Sequence, residues 1–280
     1  MFDAPRQPAL EVLRAVPSRP RQAPPLLFVH GAFCAAWVWA EHLLPAMAEA
    51  GWTAHAVSLR GHGDSAGGEV LRQASLDDYV ADVLAAMDDL PAPPVLIGHS
   101  MGGMVVQRVI EHFPIADFAR APKVAGAVLM SSVPPGGLWG TLVHMATHDP
   151  VLLWQLSAMQ AFGHGAATLD GVHRAMFADT ASDDLTRRYY GRMQTESWRV
   201  QMDLAMLPPP VMVNARSIPM LVVGAEHDSF VPPWMARLTA HAYGADCTIL
   251  EDAGHAMMLG PAWDRAQAAL AGWLDRVGLG

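Results

Sequence analysis

A serine with glycines two positions before it and two after it stands where an apolar run meets a helical pattern, in Val95-Leu96-Ile97-Gly98-His99-Ser100-Met101-Gly102-Gly103. This G-x-S-x-G spacing suits a nucleophile held on a very tight strand-to-helix turn, because glycine leaves room for the turn against neighbouring elements. A serine hydroxyl is a weak nucleophile near neutral pH, so the chemistry needs a base, and histidine is the side chain best matched to that pH. Of the 13 histidines, His255 in Asp252-Ala253-Gly254-His255-Ala256 follows the last strand-like run and therefore falls on the same rim as Ser100. A carboxylate should fix the imidazole tautomer and stabilise its charged form. Asp228, in Gly224-Ala225-Glu226-His227-Asp228-Ser229, is preferred and gives the chain order Ser, Asp, His. Glu226 and Asp252 are rivals near strand ends, one closer to its strand and the other only three residues from His255.

Negative charge developing on an attacked carbonyl oxygen calls for preorganised donors. The Met101 N–H, directly after the nucleophile, is one candidate. The second is expected from His30-Gly31-Ala32-Phe33, with Ala32 as first choice and Phe33 as second. The expected substrate contacts are Phe33, His99, Trp139 and Trp154.

Setting these groups on one rim takes alternating strands and helices. Strands are expected at Leu26 to Val29, Thr53 to Leu59, Pro94 to Gly98, Val124 to Ser131, Met220 to Val223 and Cys247 to Leu250. Helices are expected at Ala36 to Ala50, Leu76 to Leu90, Met101 to His112, Pro233 to Tyr243 and Trp263 to Val277. Ser75 is the expected N-cap of the second, with Asp77 and Asp78 in its first turn. Near-continuous apolar strands between helices imply an α/β class: a doubly wound, mostly parallel sheet covered on both faces. The alternation lapses over residues 136–207, which read as a helical cap inserted into a core made of 1–135 and 208–280. Trp139, Trp154, Trp198, Met145, Met159, Met193 and Met206 give the cap enough apolar bulk for its own core or for a pocket lining.

The chain has 280 residues, 52% of them hydrophobic and 16% charged, which is ample for a large core. A net charge of −9 and the lack of any Lys/Arg run argue against nucleic acid or an anionic membrane as partner, and a neutral small molecule fits better. The stretch Met1 to Pro8 lacks the basic-then-apolar layout of a signal peptide, and no run of about 18 apolar residues could span a bilayer. A cytoplasmic protein is expected. Cys34 and Cys247 match no metal-ligand spacing and read as buried reduced thiols.

Taken together, His30-Gly31-Ala32 followed by Trp37 and Trp39, Arg60-Gly61-His62-Gly63-Asp64-Ser65, Gly98 to Gly103, Gly224 to Asp228 and Gly254-His255 resemble the α/β-hydrolase family over nearly the whole chain. The resemblance implies an eight-stranded sheet, a cap after the sixth strand, and neither metal nor organic cofactor. It makes residues 60–65 a structural loop and gives Asp64 no catalytic role. With serine at the elbow, where haloalkane dehalogenases and epoxide hydrolases of this fold carry a carboxylate, acyl transfer from a small to medium, largely apolar ester is the expected reaction. The loop from His30 to Trp39 is also similar to that of methylesterases and hydroxynitrile lyases. Lyase, lactonase and perhydrolase chemistry on the same triad are alternatives. So is a ligand-binding receptor with little turnover. The Gly-His-Ser elbow lowers the option of C–C bond hydrolysis, whose usual elbow resembles Gly-Asn-Ser.

Overall fold

A computed structural model describes residues 8–113, 123–177, 181–210 and 217–280. Most of the stretch Met1 to Pro8 therefore lies outside the described residues. Seven strands form one sheet: β1 (Val12–Ala15), β2 (Leu26–Val29), β3 (Ala54–Val57), β4 (Val95–His99), β5 (Gly126–Met130), β6 (Met220–Ala225) and β7 (Asp246–Leu250). Their order is β1-β3-β2-β4-β5-β6-β7, with every pair parallel except β1 with β3. The expected eight strands are thus seven among the described residues. Of these, β1 carries no apolar run: it alternates exposed and half-buried residues at the edge of the sheet, whereas β2 to β6 are buried at every position.

Period-2 alternation splits each central strand between two cores. Leu26, Phe28, Ile97 and Val128 face Trp39, Trp52, Leu270 and Trp273. On the other face Leu27, Val29, Leu96 and Leu129 meet Tyr79, Val83, Val105 and Ala240. The helices that cover these faces are α1 (Trp37–Ala40), α2 (Leu43–Glu49), α3 (Leu76–Asp88), α4 (Met101–His112), α10 (Pro233–Tyr243) and α11 (Trp263–Arg276). Ser75 caps α3 in a reciprocal box with Asp78. The single helix expected over 36–50 is instead the pair α1 and α2. Pro45 lacks an N–H and its ring would clash with the Glu41 carbonyl of a continuous helix.

Among the described residues, five α-helices lie between β5 and β6: α5 (Trp139–His148), α6 (Pro150–Phe162), α7 (Leu169–Met176), α8 (Asp183–Tyr190) and α9 (Trp198–Met206). None of the described helices is long and apolar enough to cross a membrane. Both cysteines are free, but only Cys34 is buried. Cys247 is exposed because it lies on β7, the other edge of the sheet.

Strand order fixes where chemistry can happen. β2 lies between β3 and β4, so the chain leaves β2 on one side and β4 on the other, and a crevice opens above the ends of the two strands. Val29 is in register with Gly98, which sets the loop after β2 beside the turn after β4.

Candidate active site

The turn between β4 and α4 holds Ser100 at φ 53°, ψ −118°, a conformation that costs an L-residue about 1–3 kcal/mol. The strain is held by the surroundings. Ser100 N–H donates to the Met130 carbonyl, and its own carbonyl accepts from Val133 N–H, both at 3.0 Å. Close approach explains the flanking glycines. A Cβ on Gly98 would lie 2.4 Å from the Gly102 oxygen, and one on Gly102 would lie 2.4 Å from the His30 oxygen.

His255 and Asp228 are both buried. His255 Nδ1 donates to Asp228 at 2.9 Å from Oδ2 and 3.0 Å from Oδ1. Asp228 Oδ1 also accepts from the N–H groups of Phe230 and Val231, each at 2.9 Å. Burial alone would raise the Asp228 pKa, but the facing His255 and these hydrogen bonds outweigh it, and the pKa lies below the ordinary carboxylate value. Nδ1 is thereby fixed as the donor, which leaves Nε2 free to accept a proton. Ser100 and His255 border one cavity, without a hydrogen bond between them among those described. The rivals Glu226 and Asp252 are exposed and gather around His227 instead. These three side chains bring ligand-type atoms within 4.8 Å of one another, an arrangement that exposed acidic groups often reach without an ion.

Gly31, Ala32 and Met101 line the same cavity. Neither the Ala32 nor the Met101 N–H is bonded to an acceptor among the described hydrogen bonds outside regular helices and strands; Met101 is the first residue of α4, where the amide has no intrahelical partner. The Phe33 N–H is already committed, to Glu196 Oε2 at 3.3 Å. Of the two amides expected from this loop, Ala32 is therefore the free one.

The cavity, ≈ 140 Å³, is lined by the loops at the sheet rim and by the segment between β5 and β6, with Met145, Leu152, Leu156, Met159, Met193 and Leu204 among its walls. Phe33 and His99 line it as expected, but Trp139 and Trp154 do not. They are 63% and 67% exposed, because helical periodicity turns Leu142 and Met145 of α5, and Leu152 and Leu156 of α6, inward and the tryptophans outward. Trp198 and Met206 are exposed as well.

His99 Nε2 donates to the His255 carbonyl at 2.9 Å and so anchors the loop carrying His255. Burial, with the nearby His255 adding to it, lowers the His99 pKa to about 3, so its ring stays neutral. Cys34 also borders the cavity, but burial, reinforced by Glu196, pushes its thiol up to about 12 and leaves it unreactive. Glu196 and Tyr79, which the sequence reading passed over, form a buried bond at 2.6 Å beside the loop after β2, whose Phe33 N–H also donates to Glu196. The local sequence Thr195-Glu196-Ser197-Trp198 signals only a helix start, and Ser197 does cap α9.

The chain is similar to known proteins in sequence and in fold. Over 123 residues, 44% of this chain and 35% of the relative, the sequence is 33% identical to epoxide hydrolase A of Mycobacterium tuberculosis. Over 87 residues it is 37% identical to protein phosphatase methylesterase 1 of Mus musculus, covering 30% of this chain and 22% of that protein. The matched part thus spans about a third or less of these curated relatives. Among solved structures, a thermophilic esterase from Thermogutta terrifontis superposes with a TM-score of 0.71 at 18% identity, covering 96% of this chain and 94% of the other. An N-acyl homoserine lactone degrading enzyme, Est816, superposes at 0.68 with 20% identity, over 95% and 96% of the two chains. Likeness at that identity speaks for the fold, and residues 26–272 match the alpha/beta hydrolase family as a whole, so the chain belongs to that family.

Proposed function

We propose that the protein is a serine hydrolase that cleaves a small to medium, largely apolar carboxylic ester through an acyl-enzyme. The observation that carries this reading is the pairing of His255 with Asp228 beside a cavity that also holds the strained Ser100. Ser100 Oγ attacks the ester carbonyl while His255 Nε2 takes its proton. The Ala32 and Met101 amides receive the oxyanion. Collapse expels the alcohol, which takes the proton from His255 and leaves an acyl group on Ser100. A water molecule, deprotonated by His255, then attacks the acyl-enzyme, and collapse expels Ser100 Oγ, which takes that proton back from His255 as the acid is released. These residues supply the base, the nucleophile and the charge stabilisation, so the reaction calls for no cofactor.

Serine at position 100 separates this chemistry from that of epoxide hydrolases of similar fold, in which a carboxylate at the elbow forms the ester intermediate. The volume of ≈ 140 Å³ is close to that of an apolar cavity able to take up benzene, about 150 Å³, which suits a group of about six carbons. A neutral, apolar ester in the cytoplasm is the substrate class that fits. The test is multiple-turnover hydrolysis of p-nitrophenyl esters from acetate to decanoate by wild type and Ser100→Ala. Serine-dependent turnover peaking at short to medium chains supports the reading. Turnover that survives the substitution at wild-type level would sink it.

A further inference from the structure

A second buried constellation lies behind the oxyanion loop, built by a cap segment that reaches into the core. Glu196, in the turn between α8 and α9, is almost wholly buried. Its Oε1 accepts from the Tyr79 hydroxyl at 2.6 Å and from the Ser197 N–H at 2.7 Å, and its Oε2 accepts from the Phe33 N–H at 3.3 Å. The ring of His62 brings Nε2 to 3.2 Å from Oε2 with no exposure on either side chain. Burial pushes the Glu196 carboxyl up, but His62 and the hydrogen bonds prevail and hold its pKa low; the same pair raises His62.

Phe33 has φ 64°, a left-handed conformation that is uncommon for a bulky residue and persists only when its surroundings enforce it. Both of its backbone polar groups are held by one cap segment. Its carbonyl accepts from Gln194 N–H at 3.0 Å, and its N–H goes to Glu196. Gln194 also ties that segment to the core, donating from Nε2 to the Gly61 carbonyl at 2.9 Å and accepting from Gly63 N–H at 3.0 Å. On the far side of Ala32, His30 Nε2 accepts from Leu59 N–H and its Nδ1 donates to the Gly31 carbonyl at 2.8 Å. Ala32 is therefore clamped between a peptide fixed by His30 and a residue fixed by Glu196. Ala32 lines the cavity, and its N–H has no acceptor among the described hydrogen bonds.

We propose that Glu196 is a positioning residue for the oxyanion hole: by holding Phe33 in its left-handed conformation, the cap carboxylate aims the Ala32 N–H at the reacting carbonyl. The proposal rests on the acyl-transfer reading above. It makes the cap part of the catalytic machinery as well as a lid over the substrate, since an unseated 194–197 segment would release the loop. A carboxylate suits the place. Three donors converge on it beside the His62 ring, and a neutral side chain would leave part of this set buried and unmatched.

The experiment compares wild type, Glu196→Ala and Glu196→Gln on the best p-nitrophenyl ester. It also measures inhibition by a trifluoromethyl ketone, which forms a tetrahedral adduct on serine, and by the free alcohol corresponding to the substrate. Loss of one oxyanion donor costs about 10²–10³-fold in kcat. Glu196→Ala should fall in that range with KM changed less than about threefold, and should weaken the ketone but not the alcohol by a matching factor. Glu196→Gln keeps an acceptor for Phe33 and should recover part of the loss, whereas a purely structural role would lower stability without separating ketone from alcohol. Hydrogen exchange of the Phe33 amide supplies a readout that needs no ester: it should speed up in Glu196→Ala and less so in Glu196→Gln. A folded variant with unchanged kcat and ketone affinity, or with unchanged Phe33 exchange, overturns the proposal. Wild-type inactivity on every ester would instead count against the hydrolase reading, and the exchange measurement would still decide whether Glu196 holds the loop.

Discussion

Replacing Asp228 with Asn changes one atom at the orienting end of the triad, and the surrounding bonds determine which atom. Oδ1 accepts from the N–H groups of Phe230 and Val231 at 2.9 Å each. Two donors fix that end as oxygen, so the new NH₂ must replace Oδ2, the atom 2.9 Å from His255 Nδ1. A donor there repels an Nδ1–H and favours the tautomer with the ring proton on Nε2, the nitrogen that has to take the Ser100 proton, against the competing pull of Oδ1, which stays an acceptor 3.0 Å from Nδ1. The wrong tautomer costs about 10⁴-fold in kcat in a serine triad, or about 5.4 kcal/mol of transition-state stabilisation. Folding should suffer far less, by about 1 kcal/mol, because the backbone amides keep their acceptor and a charged hydrogen bond becomes a neutral one. The assay pairs p-nitrophenyl ester kinetics at pH 7.5 with a urea melt of the same Asp228→Asn preparation. A variant within about tenfold of wild-type kcat would refute the tautomer argument, since a protonated Nε2 cannot act as the base.

Further outcomes follow from other residues. His30 and His99 both have pKa values lowered to about 3, mainly by burial, from 6.5 in the unfolded chain. Each contribution is whole above pH 6.5 and is lost as the pH falls toward 3, at about 1.4 kcal/mol per pH unit per histidine. Glu196 and Asp228 act in the same direction below the ordinary carboxylate range. The raised His62 acts the other way, leaving two lowered buried rings against one raised; urea midpoints should therefore drop between pH 7 and pH 5, and an equal or higher midpoint at pH 5 contradicts the assignment of neutral buried rings. Gly102→Ala would place a Cβ 2.4 Å from the His30 oxygen and 2.5 Å from the Val29 oxygen, both backbone, and should destabilise the fold by about 1–3 kcal/mol or more. An unchanged thermal midpoint would show that the elbow is looser than described. Trp154→Ala, at an exposed position away from the cavity, should leave kcat/KM within about twofold of wild type. A loss of about tenfold would return that residue to the substrate-binding wall.

The parts that the sequence made legible are those where local chemistry and the required geometry coincide. β2 is a fully buried parallel strand, and such strands read as short apolar runs because both faces are covered. The tight turn at Ser100 was readable because its close backbone contacts demand glycine on both sides, and the position of Asp228 was readable from its place after β6. What escaped depends on tertiary context. β1 sits at a sheet edge with no apolar run to mark it. The break between α1 and α2 was marked by Pro45, but the apolar pattern on either side masked it. Trp139 and Trp154 have the bulk expected of a pocket wall, yet their place on the helix wheel turns them outward, and aromatic size carries no direction. Glu196 has no motif at all; its partners Phe33, His62 and Tyr79 lie more than a hundred residues away in the chain.

The most direct test of the central claim is intact-mass and peptide mapping of enzyme quenched early in turnover of a slowly deacylating p-nitrophenyl ester. An acyl group of the substrate's mass should appear on the peptide containing Ser100, decay at the rate of turnover, and be absent in Ser100→Ala. Ester turnover at an undiminished rate in Ser100→Ala, or a wild-type acyl adduct mapped to any other residue, would contradict it.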